Sequence, residues 1–162
     1  MSSEMVQRDR SKAMATYRYT ECGLDNVIIH GAQLVIDDDG EEVVSIPNIN
    51  GLHKAIAQSI LLRQSSMSGK ELRFIRTEMG LTQAELADIV HRESLSVSRW
   101  ERGETPIDHN AQALIRLLAM ERLNIDNEVS VQDLTGWCVP TAGEMPIDID
   151  GHDPDRYQPI AA

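Results

Sequence analysis

Two cysteines among 162 residues leave this chain without a disulfide framework. They do not stand at the C-x-x-C spacing that a thiolate zinc site needs. No apolar run approaches the ~20 residues that span a bilayer. The opening stretch, MSSEMVQRDRSKAMA, also lacks the apolar core of a secretory signal. These absences fit a reducing cytoplasm, where we expect the protein to reside, away from membranes. Aromatic residues make up only 4% against 41% hydrophobic residues in all, which at this length favours one or two small soluble domains and excludes a large enzyme. Basic side chains are scarce as well: 15 Lys and Arg face 26 Asp and Glu, giving a formal net charge of −11, which argues against a simple cationic nucleic-acid binder.

The excess acid is unevenly spread. Residues 17–67 hold three basic and seven acidic side chains, and residues 121–162 hold two and nine. Residues 68–106 hold six and seven, so the middle is nearly neutral and a basic face there is compatible with the total.

Residues 1–15 show no period and no apolar cluster, and we expect a flexible lead. Between residues 17 and 46 three β-branched runs follow one another: Val27, Ile28, Ile29; then Leu34, Val35, Ile36; then Val43, Val44, Ile46, with Asp37-Asp38-Asp39-Gly40 as a turn. They predict a small β-meander. Leu52, Ala55, Ile56, Ile60 and Leu61 then recur at helical spacing up to about Arg63. The polar stretch 64–67 marks a domain boundary. Beyond it, Ser68-Gly-Lys-Glu71 and Thr82-Gln-Ala-Glu85 both have the form of a capping box. Leu72, Ile75 and Met79 share one helix face closed by Gly80. Val97 and Trp100 lie on another helix that ends at Gly103, and Pro106 and Asp108 open a helix carrying Leu114, Ile115, Leu117 and Leu118. After Asn124 the tail is acidic and punctuated by Pro140, Pro146, Pro154 and Pro159, with Trp137 as its large apolar anchor. It should be mostly irregular, with Val129 to Trp137 docked as a short helix.

The expected fold class is therefore α+β, and the expected domains are four. A flexible lead at 1–15 precedes a β-containing module with one helix at 16–67. A four- to five-helix domain follows at 68–124, and the acidic tail occupies 125–162.

Within the helical part, LTQAELADIVHRESLSVSRWERG at 81–103 resembles, without a gap, the helix-turn-helix of the phage-repressor class, the Cro/repressor or XRE family. The physical logic is that two short helices bury Leu86, Ala87, Val90, Val97 and Trp100, and so hold the second helix as a rigid rod that fits the DNA major groove. Ala87 is small because the helices cross nearly in contact there. The resemblance places Ser94, Leu95, Ser98 and Arg99 at base edges. Arg99 is able to fork onto O6 and N7 of one guanine, and Leu95 to meet a thymine methyl. It places Thr82, Gln83, Arg92, Ser96 and Arg102 at phosphates, with helix-end N–H groups assisting. Arg76 and Glu101 fall where related repressors hold a structural ion pair. The sequence departs from the family in the turn, where His91 replaces the usual Gly and Arg92 and Glu93 follow. Either Glu93 or Ser94 then has to cap the second helix.

Upstream, YRYTECGLDNV followed by SIPNINGLHKAIA resembles the N-terminal part of MqsA/YgiT-like antitoxin regulators, in which a β-rich module often binds zinc through paired cysteines. Here only Cys22 stands near the right place. It reads more simply as a small residue in a tight turn beside Gly23, and His30 and His53 as ordinary surface or helix-start histidines, so no metal and no cofactor are expected. The aspartates at 37–39 fit a charged hairpin turn and no EF-hand. With no nucleophile motif, no enzyme is expected. Together these readings predict a transcriptional regulator that binds a double-stranded DNA operator as a homodimer and represses its own operon. The alternatives are an antitoxin that also neutralises a toxin partner, and an adaptor that no longer binds DNA.

Overall fold

The computed structural model describes residues 6–9, 14–138 and 145–160 of the chain. The fold is α+β, with six helices and one mixed sheet among those residues. Two compact units divide it: Met1–Ile56 together with Met145–Ala162, and Ala57–Glu144.

The first unit is built on the sheet. Its strands are β1 (Val6–Asp9), β2 (Met14–Arg18), β3 (Val27–Ile36), β4 (Glu42–Ser45), β5 (Ile147–Asp150) and β6 (Gln158–Pro159). The ten-residue β3 organises the rest. One of its edges pairs antiparallel with β2, while the other is shared end to end, residues 27–30 pairing parallel with β5 and residues 33–36 antiparallel with β4. Ala15, Tyr17, Val27, Ile29, Ala32, Ile147 and Ile149 are all buried here.

Two of the runs that the sequence suggests as separate strands thus belong to a single one. Tyr17 faces Ile29 but Ala15 faces Ala32, so β3 carries one extra residue near His30 and Gly31, where Gly31 takes φ 76°. This bulge shifts the parity of burial from Val27 and Ile29 to Ala32, which breaks the period-two signal. A Cβ on Gly31 would come within 2.4 Å of the His152 ring, so glycine also makes room for the segment after β5.

The chain ends depart from the sequence reading too. In the lead at 1–15, β1 pairs with β2 from Val6 opposite Tyr17 to Asp9 opposite Met14, while residues 1–5 and 10–13 lie outside the described residues. VQRD contains a single apolar residue, too few for a strand signal. The tail supplies β5 and β6 in place of irregular chain, while its helix, expected over Val129 to Trp137, spans Val131–Trp137. Ile-Asp-Ile-Asp alternates as a buried strand should, and its pairing on β3 compensates for the acid and proline around it. Asn26 fixes its start, donating from Nδ2 to the Met145 carbonyl at 2.7 Å and accepting Ile147 N–H on its own carbonyl at 2.7 Å.

Helix α1 (Ile49–Leu61) contributes Leu52, Ala55 and Ile56 to the first unit's buried residues and Ala57, Ile60 and Leu61 to the second's. The division falls inside this helix, between residues 56 and 57, and not at 64–67. The reason is Arg116, which is fully buried on α5 (His109–Arg122). Its guanidinium donates to the carbonyls of Leu61, Arg63 and Ser65 and to Gln112 Oε1. Burial lowers its pKa, yet the four acceptors are the compensation that a buried cation needs. Gln112 Oε1 also accepts Met67 N–H at 3.1 Å, so the stretch that reads as a link is bound into the helical unit.

That unit further holds α2 (Gly69–Glu78), α3 (Gln83–Val90), α4 (Ser94–Glu101) and α6 (Val131–Trp137). Ser68 caps α2 through a complete capping box. Glu71, the reciprocal member of that box, also takes a bidentate bond from Arg63 at 2.7 and 2.9 Å. On α5 the buried face is Ala111, Ile115, Ala119 and Met120, whereas Leu114 points outward at 51% exposure. Leu134 and Cys138 anchor α6 by complete burial, and Trp137 is only half-buried.

Candidate nucleic-acid interface

Helices α3 and α4 are joined by His91, Arg92 and Glu93. Helix α3 begins in the second capping box: Thr82 Oγ1 accepts Glu85 N–H and Glu85 Oε1 accepts Thr82 N–H, both at 3.1 Å. The Thr82 backbone donor holds the Glu85 carboxyl below its ordinary range. Helix α3 ends because exposed His91 turns left-handed, at φ 54° and ψ 48°, which lets Arg92 N–H close back on the Ala87 carbonyl at 2.9 Å. The chain then re-enters a helix through Glu93, an extended N-cap whose side chain makes no capping bond, and Ser94 is the first residue of α4.

What fixes α4 is burial on its inner face. Leu86, Ala87 and Val90 of α3 and Val97 and Trp100 of α4 are all 6% exposed or less. Gly69, the first residue of α2, lies so close to the end of α4 that a Cβ there would stand 2.3 Å from the Trp100 carbonyl oxygen. Beside it, Arg76 donates from Nε to Glu101 Oε2 at 2.6 Å and from Nη2 to Oε1 at 3.0 Å, and its Nη1 holds the Leu81 carbonyl at 2.9 Å. Bonding to Glu101 raises the Arg76 pKa. Gln83 Nε2 also donates to Glu101 Oε1 at 3.1 Å, so the amide that the resemblance places at a phosphate is engaged inside the scaffold.

The outer face of α4 presents Ser94, Leu95 and Arg99 as exposed side chains, Leu95 at 49%, with Ser96 and Ser98 half-buried beside them. Arg99 makes no side-chain hydrogen bond among the described residues. Arginines stand just beyond both ends of the helix. Arg92, in the turn, donates from Nη2 to Asp108 Oδ2 at 3.0 Å. Arg102, after the last turn, forks onto Glu104 at 3.0 and 3.1 Å and gives its remaining arm to Ser98 Oγ at 2.6 Å. The Arg102 bonds lower the Glu104 pKa, and Arg99 adds a smaller pull in the same direction. Asp108 Oδ2 accepts Ala111 N–H at 3.0 Å as the N-cap of α5; that backbone donor lowers its pKa first and Arg92 second.

The structure thus gathers Ser94, Leu95, Ser98 and Arg99 on one short helix, with Arg92 and Arg102 at its two ends, and Thr82 on the cap of α3. Sequence reading overlooks Glu104 and the second role of Asp108. Asp108 is legible as a helix opener, but nothing in the chain announces its bond to Arg92, 16 residues away. Elsewhere, His53 Nε2 lies 2.7 Å from Tyr19 Oη and His30 Nε2 lies 2.8 Å from Asp148 Oδ1. Among the described residues no three His, Cys, Asp or Glu side chains converge as metal ligands, and no helix is long and apolar enough to cross a membrane. In comparisons with protein-family models, with curated proteins and with solved structures, nothing matches the chain.

Proposed function

We propose that this protein is a sequence-specific DNA-binding transcriptional regulator of the cytoplasm, acting as a homodimer on the operator of its own operon. The observation that carries this reading is the α3–α4 pair: a short helix clamped by buried Val97, Trp100 and the Arg76–Glu101 pair, with Ser94, Leu95 and Arg99 exposed along its outer side. A helix fixed on one face and free on the other can enter a major groove without distortion, and Arg99 supplies the bidentate donor that distinguishes guanine. Helix α5, which exposes Leu114, is our candidate surface for the second protomer.

Fluorescence anisotropy of labelled duplexes tests the reading. Binding should weaken as salt rises, with a log–log slope set by the number of phosphates contacted, about −0.9 per contact. No binding to duplex DNA at low salt would overturn it.

A further inference from the structure

Both flanking arginines of α4 are already occupied. Arg92 and Arg102 stand beyond the two ends of an eight-residue helix, which spans about 12 Å, close to the width of the major groove. These are the places where the two sugar–phosphate walls would pass. Each guanidinium lies instead on a carboxylate contributed from beyond α4, Arg92 on Asp108 and Arg102 on Glu104. Resting on the DNA-binding reading above, we infer that Asp108 and Glu104 set the affinity for the DNA backbone: they are two carboxylate latches that phosphate has to displace, and they thereby hold down binding to DNA of any sequence.

Three observations carry the argument. The pairs are solvent-exposed, with 42% and 41% of the Arg92 and Asp108 side chains accessible and 52% of each side chain in the Arg102–Glu104 pair, so a phosphate oxygen can reach and replace the carboxylate. Release leaves the scaffold intact, because Asp108 Oδ2 still holds Ala111 N–H when Arg92 swings away. Finally, the cost of opening falls on every duplex alike, since phosphates carry no sequence, whereas Arg99, which feels Glu104 only at a distance, has no hydrogen bond to break. Only a site that engages Arg99 and its neighbours on α4 recovers what opening both latches loses. A near-neutral domain in this way keeps backbone contact weak, where a basic domain would hold any duplex tightly.

The test uses the full chain and a 20-base-pair duplex of arbitrary sequence, read by anisotropy across a salt series. Glu104→Gln and Asp108→Asn both keep a polar group of the same shape, and Asn remains a good N-cap, so neither should unfold α5. Each is expected to tighten arbitrary-sequence binding about three- to tenfold at low salt and to steepen the salt slope by about one ion. Glu128→Gln, an equal charge change in the exposed stretch before α6, serves as the control and should change binding less than twofold. If the wild-type chain binds DNA and both latch variants bind with the same affinity and slope, or the control matches them, the latches are overturned and the DNA-binding reading stands. If neither wild type nor variants bind any duplex, both readings fall. Binding by the variants alone would support the latches and overturn the reading that the wild-type chain binds DNA.

Discussion

Arg76 and Glu101 are 25 residues apart in the chain, yet their side chains meet in a two-pronged bond of 2.6 and 3.0 Å, with only 14% and 4% of each accessible. The pair joins α2 to the last residue of α4, and Gln83 adds α3 to the same carboxylate. It belongs to the scaffold beneath the outer face of α4, so its loss should be felt first as loss of stability. Glu101→Gln removes the charge from a buried pair and is expected to cost about 2–4 kcal/mol in a denaturant titration. An unchanged midpoint together with lost DNA binding would move Glu101 from the scaffold to the binding surface.

His91 tests the turn. Its φ of 54° costs an L-residue ~1 kcal/mol, while glycine takes that conformation freely but loses more chain entropy on folding. His91→Gly should therefore leave stability within about 1 kcal/mol of wild type. His91→Val, β-branched at the same exposed position, should lower it by more than 1 kcal/mol. Equal melting temperatures for the two variants would contradict the left-handed turn.

Deleting residues 145–162 should unfold or loosen the sheet unit. Ile147 and Ile149 are fully buried, each worth about 1.5–3 kcal/mol, and β3 would lose half of one paired edge. Hydrogen exchange at residues 27–30 reads the effect directly. Unaltered protection in the truncated chain would show that β5 adds nothing to the sheet.

Tyr17 gives an alkaline signature. Its burial, with its bond to Glu21 second, pushes its pKa up to about 12 from an ordinary 10.0. Folding therefore favours the protonated phenol. Its contribution is complete below pH 10 and is lost as pH rises from 10 toward 12. Tyr17→Phe should flatten that part of the stability profile. An identical alkaline decline in both proteins would remove Tyr17 from the account.

Much of the helical unit is legible in the sequence because its signals are local. The boxes at Ser68 and Thr82, the cap at Asp108 and the inward residues Leu86, Val90, Val97 and Trp100 depend on neighbours three or four positions away. What stays hidden depends on distant partners. Ile147 and Ile149 form a strand because Val27 and Ile29 stand ready, more than a hundred residues earlier, and Arg116 is buried because the carbonyls of Leu61, Arg63 and Ser65 converge on it. The bulge at Gly31 divides one strand into two apparent runs. In the site, the outward residues of α4 follow from helical periodicity, whereas the partners of Arg92, Arg102 and Gln83 are a matter of tertiary geometry.

Whether α4 reads bases is decided by selecting bound sequences from a random duplex pool with the wild-type chain and with Arg99→Ala. The wild type should enrich a two-fold symmetric sequence with half-sites about 10 base pairs apart and a preferred guanine in each. Arg99→Ala should lose that guanine preference and about 1–3 kcal/mol of affinity on the selected site, while keeping the remaining pattern. A wild-type pool that enriches no sequence, or an Arg99→Ala pool with the same guanine preference, would contradict base reading by α4.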